Sequence, residues 1–453
     1  MDNLINNYVS FISENKTERL CTKNSIRIAQ EYGYRDINSV DKLKAGDKVY
    51  YDKMGKSLIL FNIGSDDISK GMNILGAHID SPRLDAKQNP IYEDKLYKTG
   101  IVYLNTHYYG GIKKYQWVAS PLAIYGVVVK ADGTKVEIAI GDDPEDPVFC
   151  ISDILPHIAQ EQMKKPASDF IEGEKLDAVL ACYPNVKNYK NPEEGKYEPG
   201  DGKKNVLKYL EEKYGITEDD FASAELELVP AGKARFVGFD KTLVLGYGQD
   251  DRVCAYTSLI AMVEGAAGAR TNCCILADKE EIGSNGATGM NSHLLDNAVA
   301  EVVARLDVKG NPELAVRRAL ANSYMLSSDV NSAFDPLNAG LYDIYNSSFL
   351  GRGVVFNKYT GARGKSGASD ANPEFIAKVR GKLYESEVYF QNAELSKVDT
   401  GGGGTIAHYA AEFGMNVLDC GVSVLSMHAP WEITSAFDIE QAYKCYKAFL
   451  LLA

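Results

Sequence analysis

The sequence predicts an α/β fold in which a mixed sheet sandwiched by helices is interrupted by an inserted β-rich domain. Apolar runs followed by helical periodicity occur before about residue 88 and again after about residue 240, as in a sheet covered by helices on both faces. Between them, alternating segments such as Leu122–Val129 and turn residues such as Gly133 are typical of antiparallel strands. We therefore expect one domain formed by residues 1–88 and 241–453, with residues 89–240 inserted into it.

The individual elements follow from local patterns. Residues 1–35 carry apolar side chains spaced for one buried helical face. Residues 183–204 are rich in Lys, Glu, Pro, Gly and Asn, which indicates a long solvated loop. Helices are expected at about 204–213 and 439–452. Buried strands are predicted at these apolar runs: Leu58–Phe61, Asn73–Ala77, Ala224–Val229, Thr242–Gly246, Thr271–Ala277, Ser323–Ser328 and Val422–Met427.

Length and composition exclude several classes of protein. With 453 residues, 45% of them hydrophobic and 25% charged, the chain is expected to be globular with two domains. A net charge of −13 argues against binding to nucleic acid or to anionic membranes, since both require a basic face. No apolar run is long enough to span a bilayer, and the N-terminus does not resemble a secretory signal. The eight cysteines are scattered, as expected of reduced thiols in the cytoplasm.

Five predicted strands are followed by residues of the types that bind metals. These residues are His78 with Asp80, Asp250, Glu280 with Glu281, Asp329, and His428. A single histidine or aspartate at a strand end is most often structural. Here, however, five strand ends carry such residues, and they include two of the six histidines in the chain. Because the carboxyl ends of strands form the sites of open α/β sheets, we expect these side chains to converge. One histidine and one carboxylate for each ion, with a carboxylate shared between them, would form a two-metal site.

The spacing within two of these groups suggests different roles for neighbouring residues. In an extended segment, His78 and Asp80 lie on the same side, so that Asp80 can accept the second ring N–H of His78. On extended backbone, the adjacent Glu280 and Glu281 point in opposite directions, and one can bind metal while the other acts as a general base. Taken alone, the glutamate pair would be assigned to a solvated loop, and only its combination with the other strand ends favours a metal site.

The motifs around these residues, in order, resemble those of one enzyme family. They are Ala77–Asp85, Gln249–Arg252, Asp278–Ser284, Ser327–Val330 and Ser426–Pro430, with Tyr109-Gly-Gly as a landmark of the inserted region. The chain resembles the aspartyl aminopeptidase / vacuolar aminopeptidase I family of dinuclear zinc metallopeptidases, essentially from end to end.

The resemblance implies a role for each site residue. It implies the metal ligands His78, Asp250 (bridging), Glu281, Asp329 and His428. It implies Glu280 as the catalytic base, Asp80 as the residue that orients His78, and His157 as a histidine sent into the active site of a neighbouring subunit. The resemblance further implies peptide substrates and a homo-oligomer, a tetrahedral dodecamer built from dimers through the inserted domain.

The ligand types and two departures from the family pattern bear on metal and substrate. Nitrogen and oxygen ligands without thiolate suit two zinc ions, with manganese or cobalt also compatible. Ser332 and Asp335 stand where aspartyl-specific relatives carry histidines, and the segment 357–365 is unusually rich in glycine. Lys358 is the remaining cation able to hold an acidic side chain. We therefore expect neutral N-terminal residues to be accepted at least as well as acidic ones.

Two other functions are compatible with the residues taken alone. One is a two-metal deacylase or carboxypeptidase on a similar fold, which would not require a free N-terminal amine. The other is a catalytically dead, self-assembling shell protein, although such a protein would be free to lose Glu280 or a ligand. The segment Gly401–Thr405 lacks the Lys-Ser/Thr of a phosphate loop, which argues against nucleotide binding.

Overall fold

A computed structural model describes residues 2–94, 96–97, 99–182, 201–400 and 402–453. The chain forms two compact units. The first consists of Met1–Ser81, Ala234–Met427 and Trp431–Ala453, and the second of Pro82–Lys233 with His428–Pro430. The loop predicted at residues 183–204 lies outside the described residues as far as residue 200.

The first unit is organised around a nine-stranded mixed sheet. Its strand order is β1-β2-β3-β13-β4-β14-β18-β16-β17. The strands are β1 (Arg35–Asp36), β2 (Lys48–Lys53), β3 (Ser57–Asn62), β4 (Met72–His78), β13 (Thr271–Ala277), β14 (Tyr324–Ser328), β16 (Val354–Asn357), β17 (Phe390–Asn392) and β18 (Asn416–Gly421). The four central strands β13, β4, β14 and β18 run parallel, so that their carboxyl ends meet at one edge of the sheet.

In its described residues, this unit also contains a five-stranded sheet and eight α-helices. The sheet has the order β11-β12-β20-β19-β15, formed by β11 (Arg235–Val237), β12 (Leu243–Gly246), β15 (Asn331–Ser332), β19 (Ser423–Leu425) and β20 (Glu432–Ser435). The helices are α1 (Asp2–Glu14), α2 (Glu18–Glu31), α5 (Gln249–Glu264), α6 (Leu294–Arg305), α7 (Pro312–Ala321), α8 (Pro373–Glu385), α9 (Ala407–Ala411) and α10 (Ala436–Phe449).

Strand alternation divides the apolar residues of the large sheet between two cores. In β13, Cys274 and Leu276 join a core with α1, α2, α5, α8 and α10, whereas Cys273 and Ile275 join a core with α6, α7 and α9. This is the period of two expected for a strand buried on both faces. The eight cysteines of the chain, all in its described part, form no disulfide.

The N-terminal region differs from the single helix predicted for residues 1–35. The structure has two helices, because α1 ends at Glu14 and Thr17 begins α2 as its N-cap, with its hydroxyl oxygen accepting a hydrogen bond from the backbone N–H of Leu20 at 3.2 Å. An N-cap threonine satisfies one of the backbone donors that a helix start leaves open. The residues between the helices thus interrupt a continuous apolar pattern.

The second unit contains a six-stranded antiparallel sheet in the order β8-β7-β10-β5-β6-β9. Its elements are β5 (Arg83–Glu93), β6 (Ile101–Tyr109), β7 (Leu122–Val129), β8 (Lys135–Ile140), α3 (Ala167–Phe170), β9 (Ala178–Cys182), α4 (Asp201–Tyr214) and β10 (Ala224–Pro230). Strand β10 lies between β7 and β5, and all neighbouring strands run antiparallel. The alternation of residues 122–129 thus corresponds to a strand of this sheet.

Candidate metal centre

The predicted site residues of the first unit converge at the carboxyl edge of the parallel strands. His78 is the last residue of β4, Asp329 follows β14 directly, and Glu280 begins the 3-10 turn Glu280–Ile282 that follows β13. The three strands are neighbours in the order β13-β4-β14. The edge of an α/β sheet where parallel strands end is the usual location of a binding site.

His78 lies at the centre of this cluster, and its side chain is buried. Its Nε2 atom is 3.2 Å from Oδ1 of Asp250, 3.8 Å from Oε2 of Glu280 and 3.9 Å from Oδ1 of Asp329. The other ring nitrogen, Nδ1, lies 3.1 Å from the backbone carbonyl oxygen of Asp80. A carbonyl can only accept, so Nδ1 carries a proton in this contact and Nε2 is the nitrogen that faces the carboxylates. This is the arrangement of a histidine that binds a metal through Nε2.

The charges of the cluster favour a bound cation. Burial opposes a charge on the ring, yet hydrogen bonds to Asp250 and Asp80 raise the pKa of His78 well above its usual value. Burial and the nearby carboxylate of Asp251 raise the pKa of Asp329 well above its usual value. Several buried carboxylates around one imidazole repel one another, and a divalent ion removes that repulsion.

Two overlapping groups within the described residues have suitable ligand atoms. His78, Asp250 and Glu281 each offer one atom within 4.8 Å of the others, and so do His78, Asp251 and Asp329. Asp251 was not among the predicted residues. Its carboxylate accepts a hydrogen bond from the backbone N–H of His78 at 3.3 Å. The only sequence signal for it is its place next to Asp250.

The backbone around Glu280 and Glu281 corrects one expectation. The pair does not lie on extended backbone but on a 3-10 turn, between Lys279 and Gly283, whose φ angles are 70° and 89°. The prediction that the two side chains point in opposite directions on an extended backbone is therefore wrong. Their directions are set by the turn instead.

Asp80 fixes this turn. Its Oδ1 accepts the backbone N–H of Glu280 at 3.1 Å, and its Oδ2 accepts that of Glu281 at 3.2 Å. Oδ1 also lies 3.4 Å from Nδ1 of His78, so the predicted proximity to the ring is present. Asp80 is fully buried and thus joins the histidine to the glutamate turn. At the end of the turn, the carbonyl oxygen of Gly283 accepts a hydrogen bond from the hydroxyl of Tyr409 at 3.0 Å.

Asp250 follows a predicted strand, but this strand belongs to the five-stranded sheet and not to the nine-stranded sheet. It lies in the first turn of α5, after β12 of the five-stranded sheet, and its φ and ψ of −82° and 106° are not helical. The peptide bond that follows it is cis. Its backbone N–H donates to Oε2 of Glu432 at 3.1 Å, and its carbonyl accepts from the hydroxyl of Ser81 at 2.7 Å. Glu432 and Ser81 carried no signal in the sequence.

The remaining predicted residues have other surroundings. His428, in the second unit, has a left-handed φ of 64° and its Nδ1 lies 2.9 Å from the carbonyl oxygen of Gly111. His157 is exposed on the 3-10 turn Pro156–Ile158. Lys358 donates to Asp370 at 2.5 Å.

Ser332 and Asp335 also have partners of their own. The hydroxyl of Ser332 lies 3.0 Å from that of Tyr342, and Asp335 accepts the backbone N–H of Leu337 at 2.9 Å.

Comparison with known proteins identifies the family. The chain matches the family described as aminopeptidase I zinc metalloprotease (M18) over residues 11–450. The chain belongs to this family. It is 54% identical to a probable M18 family aminopeptidase 1 of Clostridium acetobutylicum over 447 residues, which are 98% of this chain and 93% of that protein.

Solved structures agree with this assignment. The structure of an M18 family aminopeptidase from Thermotoga maritima superimposes with a TM-score of 0.92 at 42% identity, covering 100% of this chain and 96% of that one. The structure of the Ape1 dodecamer of Saccharomyces cerevisiae shares the fold, with a TM-score of 0.75 at 21% identity over 98% and 95% of the two chains.

The predicted family and α/β class are confirmed, and the chain is a metallo-aminopeptidase. The relatives are described as aminopeptidases, which favours this activity over the deacylase, carboxypeptidase and inert shell alternatives. In the described part of the chain, no helix is both long and apolar enough to cross a bilayer.

Proposed function

We propose that this metallo-aminopeptidase works with two divalent metal ions held by His78, Asp250, Glu281, Asp329 and His428. The observation that supports it is the convergence of three carboxylates, at 3.2 to 3.9 Å, on one nitrogen of the buried His78. Imidazole and carboxylate donors without thiolate suit zinc, and manganese and cobalt are compatible with the same set.

The residues divide the chemistry between them. When bound, the ions supply Lewis-acid polarisation of the scissile carbonyl and lower the pKa of water from 15.7 toward about 7. Glu280 accepts the proton of the attacking water and delivers it to the amine that leaves. Asp80 holds the turn that carries Glu280, and Asp250 would be the ligand shared by both ions. His157 of a neighbouring subunit donates to the carbonyl oxygen as negative charge develops there.

Metal stoichiometry tests this assignment. The purified protein should bind about two divalent ions per chain. Because Asp250 is shared, Asp250→Asn should lose more metal than His78→Ala or His428→Ala, measured by elemental analysis after dialysis. The exposed Asp132 offers a matched control, since Asp132→Asn should retain the wild-type content. Equal metal content in Asp250→Asn and the wild type would exclude the shared ligand.

Assembly and location are further parts of the proposal. We infer a tetrahedral dodecamer of dimers, with residues 89–240 forming the dimer contact; the yeast relative is described as a dodecamer. We place the protein in the cytoplasm, and eight cysteines without a disulfide are as expected of a reducing compartment.

The proposal also concerns which N-terminal residue of the substrate is preferred. Lys358, the cation proposed to hold an acidic side chain, already has the carboxylate of Asp370 at 2.5 Å. An acidic substrate would have to compete with this carboxylate. We therefore expect kcat/KM for peptides beginning with Leu or Ala to equal or exceed that for peptides beginning with Asp or Glu. A tenfold preference for Asp-peptides in a panel of matched substrates would contradict this expectation.

A further inference from the structure

The Tyr109-Gly110-Gly111 turn contacts the side chain of His428, which lies in the same unit. The carbonyl oxygen of Gly111 lies 2.9 Å from Nδ1 of His428. Because a carbonyl oxygen can only accept, Nδ1 is the protonated nitrogen and Nε2 carries the lone pair. Metal-binding histidines are commonly held in this way, with the second ring N–H donating to a backbone carbonyl that fixes tautomer and ring orientation.

Both glycines of the turn are required for this contact. Gly110 has a φ of 74°, in the left-handed region that side chains disfavour. Gly111 approaches the imidazole so closely that a Cβ atom built on it would lie 3.3 Å from Nδ1 of His428. The first glycine therefore permits the turn, and the second permits the approach.

The turn begins at Tyr109, whose ring packs against the guanidinium of Arg83. Tyr109 is the last residue of β6 and lies opposite Arg83 of β5. The guanidinium carbon of Arg83 is 3.9 Å from the centre of the Tyr109 ring. A cation at this distance from an aromatic ring is attracted to its face, and the attraction grows when both groups leave water. Arg83 is 4% exposed and Tyr109 is 8% exposed, so this pair is largely desolvated.

Arg83 is itself held by two carboxylates. Its Nε lies 2.8 Å from Oδ1 of Asp85 and 3.1 Å from Oε2 of Glu227. Glu227 is 1% exposed and is paired with Asp85 across strands β10 and β5. Strands β5 and β10 thus fix the guanidinium, the guanidinium fixes Tyr109 on β6, and Tyr109 leads into the two glycines.

We propose that the Tyr109-Gly110-Gly111 turn, clamped by Arg83, is the positioning device of His428, which it holds in the orientation and tautomer that bind a metal through Nε2. The inference rests on the proposed function, since it takes His428 as a ligand. Arg83 and Tyr109 act through the Gly111 carbonyl and are positioning residues.

The decisive variant is Gly111→Ala. Gly111 does not have a positive φ, so alanine introduces no backbone strain and its main effect is to displace the His428 ring. The affinities of the two ions would be measured by chelator competition with zinc alone. We expect one of them to fall about 10–100-fold, the usual effect of losing such a partner, and the other to stay unchanged. Gly381→Ala is the matched control, because nothing lies within 4 Å of the added Cβ.

A second variant tests the clamp. Arg83→Gln alone would leave the buried Glu227 without its cation, so Arg83→Gln/Glu227→Gln removes both charges together. It should weaken the same ion as Gly111→Ala, whereas Arg27→Gln, at an exposed ion pair, should not. The metal-free Gly111→Ala and wild-type proteins should melt at the same temperature, which separates positioning from a general loss of stability.

The outcomes distinguish this inference from the proposed function. His428→Ala should lose one ion per chain. If it does so while Gly111→Ala and the double variant bind both ions as the wild type does, the positioning role is overturned and the ligand assignment stands. If His428→Ala binds two ions with unchanged affinity, the ligand assignment fails, and the positioning role fails with it.

Discussion

Two adjacent glutamates, Glu280 and Glu281, occupy one 3-10 turn at the candidate metal centre. Glu281 offers a carboxylate oxygen to the group formed with His78 and Asp250, in which all ligand atoms lie within 4.8 Å of one another. Glu280 has an oxygen 3.8 Å from Nε2 of His78. A side chain at this distance can reach a water held between the ligands, as a general base requires.

Amide substitution of each glutamate separates the two roles. Glu280→Gln should keep its metal and lose roughly 10²–10⁴ in kcat, because the amide cannot accept the proton of the attacking water. Glu281→Gln should lose metal affinity, since an amide oxygen is a weaker ligand than a carboxylate. Metal content and kcat would be measured for both. Loss of metal in Glu280→Gln with retention in Glu281→Gln would show that the roles are reversed.

Sequence reasoning located the site residues but not all of their contacts. The motifs named His78, Asp250, Glu281 and Asp329, which the structure brings together at one sheet edge. The contact of Asp80 with the backbone of Glu280 and Glu281 could not be predicted, because it joins segments 200 and 201 residues apart. Local spacing specifies which residue types follow a strand. Only the sheet order specifies which strand ends are neighbours.

Among the secondary-structure elements, several strands with a clear apolar pattern were predicted correctly, whereas the single helix predicted over residues 1–35 is two helices in the structure. The strand predicted at Thr271–Ala277 has those bounds in the structure. Two strands of the five-stranded sheet, β12 and β19, lie within the predicted strands Thr242–Gly246 and Val422–Met427. The other three strands were not predicted, because they have two to four residues, too few to show alternation. The sheet itself was not predicted because β12 pairs with β20, a strand far from it in sequence.

A buried carboxylate of helix α10 accepts hydrogen bonds from the segment that precedes β16. Asp438, in the first turn of α10, accepts the backbone N–H groups of Gly351 and Gly353 at 2.8 and 2.7 Å. Burial raises the pKa of Asp438 to about 6, although these two hydrogen bonds favour the charged form. The folded state therefore binds the proton of Asp438 more tightly than the unfolded state does.

This shift predicts a pH-dependent contribution to stability. Because the folded pKa is raised, the stabilisation by protonated Asp438 is complete below the unfolded pKa near 3.8 and is lost as pH rises through about 6. The shift corresponds to about 2–3 kcal/mol. Asp438→Asn cannot titrate, so its unfolding free energy should gain about that amount relative to the wild type between pH 4 and pH 7. Denaturant titrations of both proteins across this range test it, and a pH-independent difference would contradict it.

At the scale of the whole molecule, the surroundings of His157 suit an assembly surface. His157 is exposed, and apolar neighbours are exposed with it: Ile154 by 48%, Leu155 by 53% and Ile158 by 69%. Exposed apolar side chains clustered around a polar group are typical of protein interfaces. The alternative interpretation is that His157 is an ordinary surface histidine of the inserted region, with no role in the active site of another subunit.

Activity separates these two interpretations. If His157 donates to the carbonyl oxygen in a partner's site, His157→Ala should assemble and bind metal normally but lose about 10²–10³ in rate, the usual effect of removing one such donor. His293 is a matched control, because it is also exposed and its ring contacts Asp296 at 2.9 Å. His293→Ala should retain wild-type activity. Equal activity of His157→Ala and the wild type would assign His157 to the surface alone.

Complementation then decides whether the donation is in trans. His157→Ala and Glu280→Gln would be co-expressed with different affinity tags, and mixed assemblies isolated by sequential purification. In a mixed dimer, the site of the His157→Ala chain keeps its own Glu280 and receives an intact His157 from its partner, so activity should be partly recovered. If the histidine acts within its own chain, every site lacks one of the two groups. Mixed assemblies that form and stay inactive would therefore show that His157 is not shared between subunits.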